Sequence, residues 1–415
     1  MATPSPLHVL IAGGGLSGLA LAQGLLKDGH SVEVFERDAD LDRKQGYYLH
    51  MNALGGEALR RCLPEDLFEL YQRTSRENYE RHESIVLDDQ LRELSSRPHL
   101  GPPNEGDRPH TGVHRRTLRQ VLAGRLGARL HTSAAVVSYA EDEDGVTVTL
   151  VDGSTARGDL LVAADGIRSA VRTQKLPQVP VIPTGIAGIG VYGRTILTPE
   201  LQQAMPQVLH HGVLMAIDRK GSRLLIGEYL PRQPAAEAAG EVAPDVVVDT
   251  VPPYLMVSCS VSPGTVVPPL GDWTADTPRQ LRDSMLRALD GWHPVARDIV
   301  GAMEPDSMFA IPFGYLEPAD DWQSSRVTLV GDAAHGMLPT MGMGANLALH
   351  DAATLVDALR DLGSGGDRTV LTQAVGDYER HMRETSYPIL RMTLDHDRNF
   401  GGGALAEASG GTGVA

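Results

Sequence analysis

Two glycine-rich stretches lie more than 300 residues apart in this chain, and each has the make-up of a loop that holds a charged ligand. In the first, Gly13-Gly14-Gly15-Leu16-Ser17-Gly18, residues Gly13, Gly15 and Gly18 fill the three positions of a dinucleotide fingerprint. Glycine lets backbone approach a pyrophosphate closely, and the free N–H groups that open a helix favour negative charge. The second runs Gly331-Asp332-Ala333-Ala334-His335, then Pro339-Thr340, then Gly342-Met343-Gly344-Ala345-Asn346. Its glycines and the helix start behind them suit an anionic ring edge, as on the pyrimidine side of a reduced flavin, and Asp332 could accept hydrogen bonds from ribityl-like hydroxyls. A lone Gly-Asp pair would be an ordinary capped turn. The 16-residue run fits the far end of the cofactor whose near end the first loop takes.

Regular elements must position these loops. Leu7 to Ala12 reads as a buried strand, Leu16 to Lys27 as an apolar helix ended by Asp28-Gly29, and Ser31 to Glu36 as the next strand. This is a βαβ unit with Glu36 at the place of a ribose acceptor, a residue that suits an unphosphorylated adenosine ribose. Val327 to Val330 predicts a short strand before the second loop, and Leu347 to Leu362 a helix after it. Ala134 to Val162 reads as a meander with turns at Asp144-Gly145 and Asp152-Gly153, whereas Asp165-Gly166 ends a strand and leads into Ile167 to Arg172. Longer strands follow at Gly185 to Leu197 and Tyr254 to Val261, with a hairpin at Asp218 to Gly221. Arg279 to Leu289 and Pro294 to Met303 predict helices. Pro231 to Pro253 and Ser95 to Pro109 read as surface loops, and Phe400 to Ala415 as a disordered tail.

Bulk properties narrow the class. A length of 415 residues predicts two to three domains, and no repeat is visible. Lys and Arg number 37 against 53 Asp and Glu, a net charge of −16 that disfavours nucleic acid or anionic membrane as a partner. Cys62 and Cys259 form neither a disulfide framework nor a metal-ligand spacing, so no metal is predicted. Met1 to Pro6 lacks a basic n-region, and no apolar run reaches the roughly 20 residues of a membrane span. The expectation is a cytoplasmic protein.

Three separated motifs together resemble one family, the single-component (group A) FAD-dependent monooxygenases of the hydroxybenzoate hydroxylase type. They are Gly13 to Gly18 with Glu36; Asp165-Gly166 with Ser169 and Arg172; and Gly331 to His335 with Pro339 and Gly342 to Asn346. His114-Arg115-Arg116-Thr117-Leu118 is a weaker fourth, aligned on Arg115. The resemblance implies a Rossmann-like FAD-binding α/β domain, residues 1–70, 100–178 and 318–398, interleaved with an α+β substrate domain on a mixed or antiparallel sheet, residues 71–99 and 179–317, with 399–415 a tail. It implies that Gly13, Gly15, Leu16, Ser17 and Gly18 hold the pyrophosphate, Glu36 and Arg37 the adenosine ribose side, and Asp332 the ribityl chain. Arg43 and Arg115 would add contacts, Asp165 and Gly166 would brace the pyrophosphate, and Gly342, Met343, Gly344, Ala345 and Asn346 would hold the flavin ring, with Pro339 lining the face where oxygen reacts.

The same resemblance implies the chemistry. NADH or NADPH would reduce FAD, O2 would add to form a C4a-hydroperoxide, and one oxygen atom would pass to an aromatic or polyketide-like small molecule, by hydroxylation or epoxidation. The flavin supplies the chemistry, so no catalytic side chain is assigned, and His335 reads as structural. Tyr47, Tyr48, His50, Tyr192, Arg194, His211, Phe313 and Tyr315 are candidates for contacting substrate, with Met337, Met341 and Met343 adapting the walls to a bulky, polycyclic molecule. A Baeyer–Villiger outcome and an FAD-bound cyclase or isomerase without net redox remain open, as do monomer and homodimer. A halogenase lacks support because Trp273, Trp292 and Trp322 stand alone, and a plain NAD-dependent dehydrogenase leaves the Asp332 loop unexplained.

Overall fold

The computed structural model describes residues 6–41, 47–77, 81, 83–99, 111–183, 189–319, 321–363 and 368–409. The chain opens with β1 (His8–Ala12), α1 (Leu16–Lys27) and β2 (Ser31–Phe35), as the sequence predicts. It continues through β3 (Tyr48–Met51), α2 (Ala53–Cys62), α3 (Glu65–Thr74), β4 (Glu83–Asp88), β5 (Glu93–Pro98), β6 (Thr111–His114) and α4 (Arg115–Ala123). The meander spans β7 (Leu130–His131), β8 (Val136–Glu141), β9 (Val146–Leu150), β10 (Thr155–Gly158) and β11 (Leu160–Ala163), followed by α5 (Ala170–Lys175). Next come β12 (Ile182–Pro183), β13 (Ile189–Ile196), α6 (Pro199–Ala204), β14 (Val213–Ile217), β15 (Arg223–Tyr229), α7 (Ala235–Val242) and β16 (Tyr254–Cys259). The chain ends with α8 (Thr277–Ala288), α9 (Pro294–Gly301), β17 (Phe309–Pro312), β18 (Gly314–Tyr315), β19 (Val327–Leu329), α10 (Asp332–His335), α11 (Gly344–Leu359) and α12 (Arg368–Ser409).

Two sheets organise the molecule. The first is parallel, in the order β19-β11-β1-β2-β7. Its strands β1, β11 and β19 are short runs, mostly Val, Ile, Leu and Ala, buried on both faces, the pattern a doubly covered parallel sheet requires. Helix α1 is apolar nearly all round because it also packs against α11, and a Cβ on Gly24 would stand 2.7 Å from Val356 Cγ2 at that crossing. Strands β1, β11 and β19 run side by side, so the three motifs that follow them meet at one sheet edge, where ligands of open α/β sheets bind.

The second sheet has the order β17-β13-β16-β15-β14-β4-β5, antiparallel except for the parallel β14·β4 pair. One face buries Leu214, Leu224, Ile226, Leu255 and Val257 in a cluster with residues of α8 and α9. The opposite face looks toward β3, whose Tyr48 packs on Gly227 of β15. Arg76, just after α3, pins this sheet to the two-stranded β3·β6 ladder. Its backbone N–H donates to Gly112 O (2.8 Å), its guanidinium donates to the carbonyls of Glu228 and His210 (2.9 Å each), and it forms a buried ion pair with Glu228. His210 Nδ1 meets the other Glu228 oxygen at 2.7 Å.

Three sequence expectations need correction. Ser95 to Pro98 belongs to an edge strand rather than a loop: β5 pairs with β4, and its side chains are exposed, so it carries no alternating apolar signal. Residues 100–109 lie outside the described residues. Within Pro231 to Pro253 the chain forms α7, because Ala235, Ala238, Ala239 and Ala243 recur at helical spacing and bury against the first core. The backbone of α12 extends to Ser409, into the predicted tail.

Candidate cofactor site

The first glycine loop is tightly built except on one side. Gly13 has φ +105° and a Cβ there would stand 2.3 Å from Ala164 O; a Cβ on Gly18 would stand 2.1 Å from Gly13 O. At Gly15 the same test finds only Ala164 O, at 3.9 Å, so the loop leaves room there for a ligand to approach its backbone. Glu36 fixes the loop from β2. Its Oε2 accepts from Gly14 N (2.8 Å) and its Oε1 from Asp38 N (2.9 Å). Arg119 closes the triangle with Nη2 at 2.9 Å from Glu36 Oε2 and Nε donating to Gly14 O at 2.8 Å. Sequence reasoning missed Arg119, although it stands one helical turn after Arg115 on α4. Leu16 and Ser17 are buried in the first turn of α1, and Arg37 is exposed beside Asp38.

The second motif abuts the first. Asp165 follows β11; its Oδ2 accepts from Ala170 N (2.9 Å), while its buried Oδ1 has no partner among the described residues. Burial pushes this carboxyl up, against the pull of Ser169 and nearby backbone N–H groups. Ser169 caps α5 by accepting from Arg172 N (2.8 Å), and Arg172 Nη1 donates to Ile167 O (2.6 Å), which shapes the turn at Gly166 with φ +80°. A Cβ on Gly336 would meet Ile167 Cγ1 at 2.7 Å, which ties this turn to the third motif.

Gly331 enters the third motif at φ +60°, where a Cβ would stand 2.7 Å from Ala348 and 3.2 Å from Ser17 Oγ. Its N–H donates to Asp351 Oδ2 (2.8 Å), which also meets His335 Nε2 at 2.6 Å. Burial disfavours a charged His335, yet Asp351 and Asp332 outweigh it and raise the imidazole above its ordinary value. His335 therefore holds the loop shut from inside. Asp332 is open to solvent, yet the protein crowded around it pushes its carboxyl up while His335 and Arg115 pull it down. Pro339 is exposed on a short turn that ends at Gly342, left-handed at φ +65°.

Asn346 is the hub of the Gly342 to Ala345 turn, the ring-side turn of the sequence expectation. Fully buried, it accepts from Asn52 N through Oδ1 (2.9 Å) and donates through Nδ2 to His50 O and Gly342 O (3.0 Å each). Asn52 caps α2 and donates to the sulfur of Met343 (3.3 Å), so the end of β3 and the Gly342 to Ala345 turn form one unit. Neither Asn52 nor Asp351 was flagged by the sequence; both lie outside the motifs they serve.

The predicted substrate residues separate into groups. Tyr47 stacks on Tyr192 (6.0 Å) and on Phe309 (5.7 Å), Phe313 stands edge-on to Tyr192 (6.5 Å), and Arg115 lies 5.9 Å over the Tyr47 ring. Arg194 lies over Tyr254 and pairs with Glu304 (3.5 Å). His50 contacts His99, whose Nδ1 meets Ser84 Oγ at 3.1 Å. Tyr48 is core, wedged between Gly112 and Gly227, and burial pushes its hydroxyl far up. His211 is buried before β14, and Tyr315 pairs with Ile182 in a two-stranded ladder. Arg43 lies outside the described residues.

Comparison with known proteins follows this geometry. Residues 6–181 and 315–383 match the family described as FAD binding domain, and the chain belongs to that family, the group A, hydroxybenzoate hydroxylase-like flavoproteins. It is 29% identical over 95% of its length to a dual O-methyltransferase/FAD-dependent monooxygenase, elcB, of Phaeosphaeria nodorum, and 28% identical over 94% of its length to the FAD-dependent monooxygenase thnD of Trichoderma harzianum. The match covers 46% of elcB and 92% of thnD, so the chain spans about half the length of the first of these relatives. A crystal structure described as an FAD-containing monooxygenase from Photorhabdus luminescens superposes with a TM-score of 0.76 at 27% identity, over 95% of this chain and 98% of that one.

Proposed function

We propose that the chain is an FAD-dependent monooxygenase that uses NADH or NADPH and O2 to insert one oxygen atom into an aromatic or polyketide-like small molecule. The observation that carries this reading is the convergence of the three motifs on one sheet edge, with Asn346 joining the ring-side turn to the strand that follows Tyr47. The residues fit FAD on three counts: an open approach at Gly15, a buried Asp165 oxygen with no partner among the described residues, and a solvent-open acid, Asp332, at the start of the third motif. When bound, the cofactor supplies electron transfer from the nicotinamide and activation of oxygen.

The chain's own residues bind and orient. The Gly13 to Gly18 backbone and the start of α1 take the pyrophosphate, Glu36 the ribose, and Asp332 the ribityl hydroxyls. The N–H groups opening α11 favour negative charge on the ring's pyrimidine edge. Tyr47, Tyr192 and Phe313 present apolar ring surface to the substrate and keep water from its reacting face. The test is anaerobic mixing of the FAD-loaded protein with NADH and NADPH, then product mass after admitting O2 with substrate. Bleaching of the yellow colour and a product gain of one oxygen are expected. If neither nicotinamide reduces the protein even with substrate present, a reaction without net redox, such as cyclisation, replaces this one.

A further inference from the structure

The face of the second sheet that looks toward β3 carries a straight row of side chains. Phe309, Tyr192, Ser258, Leu225, Met215 and Val86 are direct register partners, each with the next, across β17, β13, β16, β15, β14 and β4. Five strand spacings separate its ends, so the row is about 24 Å long. All but Phe309 are only half-buried, whereas their neighbours on the other face, Leu214, Leu224 and Val257 among them, are fully buried. Ser258 is the one member without apolar bulk, and Tyr192 carries a hydroxyl at its rim.

The row is continuous with the cofactor side. Its Phe309–Tyr192 end is stacked on Tyr47, Arg115 lies over that ring, and the charge of Arg115 acts on Asp332. A single six-membered ring spans about one strand spacing and would use only that aromatic end. Leu225 packs beside the Tyr48 cluster, whereas Met215 and Val86 would then be half-buried apolar surface beyond the ring's reach, held in line with the aromatic end across two further strands.

We propose that the row is the floor of an elongated substrate site and that the substrate is an extended, planar, largely apolar molecule at least three fused rings long. This rests on the reading of the chain as a flavoprotein and adds the length and polarity of what it takes. The aromatic end holds the part that reacts, while Leu225, Met215 and Val86 measure length. Ser258 offers one hydrogen bond along the way.

The test uses the FAD-loaded protein without nicotinamide and reads perturbation of its visible flavin band by phenol, 2-naphthol and 2-anthrol. Affinity should rise at least tenfold with each added ring. Met215→Trp, which fills the floor beyond its midpoint, should weaken 2-anthrol at least tenfold and leave phenol within twofold. Leu225→Trp, one strand closer to the aromatic end, should weaken 2-naphthol as well, and it carries the test if Met215→Trp melts early. Phenol binding as tightly as 2-anthrol, or tryptophan variants that weaken all three probes alike, would overturn the proposal. A chain that takes up no FAD refutes the flavoprotein reading instead, and that is seen before any probe is added.

Discussion

Asn346→Ala should loosen the ring-side turn and lower stability together. The wild-type side chain is fully buried and makes three hydrogen bonds, one from Asn52 N and two to the carbonyls of His50 and Gly342. A net of about 1 kcal/mol per bond, plus the penalty for groups left without partners, gives a loss of about 3–5 kcal/mol. Unfolding entropy for 415 residues is roughly 0.9 kcal/mol per degree, so the melting temperature should fall by about 3–6 °C. FAD affinity, followed by fluorescence on titration, should fall with it. Asn346→Asp differs by one atom yet sets a buried acceptor against two carbonyls, so it should be at least as damaging as alanine. Thermal melts of both variants decide the matter: an aspartate variant as stable as wild type would refute the assigned roles of Oδ1 and Nδ2.

Further outcomes follow from the same geometry. Asp332→Ala should weaken FAD retention about 10- to 100-fold through lost charged hydrogen bonds, and wild-type affinity in a titration would contradict its assigned role. Arg76→Met leaves Glu228 buried beside His210 without its guanidinium partner; urea denaturation should show a loss of about 3 kcal/mol, and no loss would mean that the ion pair does not hold β15 to the segment after α3. Burial lowers His114 from its ordinary 6.5 to about 3, with Arg194 and Arg116 adding to the effect, while its Nδ1 meets Tyr254 Oη at 2.8 Å. The unfolded chain therefore binds a proton that the native one refuses between those values, so wild-type stability should fall as pH drops from 6.5 toward 3. The slope due to this one group is about 1.4 kcal/mol per pH unit, and His114→Gln should flatten the profile by that amount; parallel profiles for the two proteins would count against it.

The βαβ unit and the three motifs were legible because steric need fixes residue type locally: Gly13, Gly18 and Gly331 each sit where a Cβ would strike backbone or a packed alanine. Their convergence follows from strands that the apolar runs revealed. The partners that hold them were not legible. Arg119, Asn52 and Asp351 act on residues 16 to 294 positions away, and nothing in their neighbourhoods marks them. The substrate side was least visible. Tyr47 and Tyr48 are adjacent, yet one joins an aromatic wall and the other fills the core, a difference set by the sheet that β3 happens to cross. The row from Phe309 to Val86 exists only as register between six strands that the sequence scatters from Glu83 to Pro312.

The bonds of Asn346 have a thermodynamic consequence. Through them the turn that would grip the ring and the strand that follows Tyr47 are one mechanical body, so ordering either end orders the other. Cofactor and substrate affinities are then linked quantities, and any factor by which bound FAD tightens a planar ligand must return, undiminished, as tighter FAD when that ligand is present. On the proposed reading, selection for one substrate on this scaffold would act, by the same linkage, on how firmly the protein holds FAD.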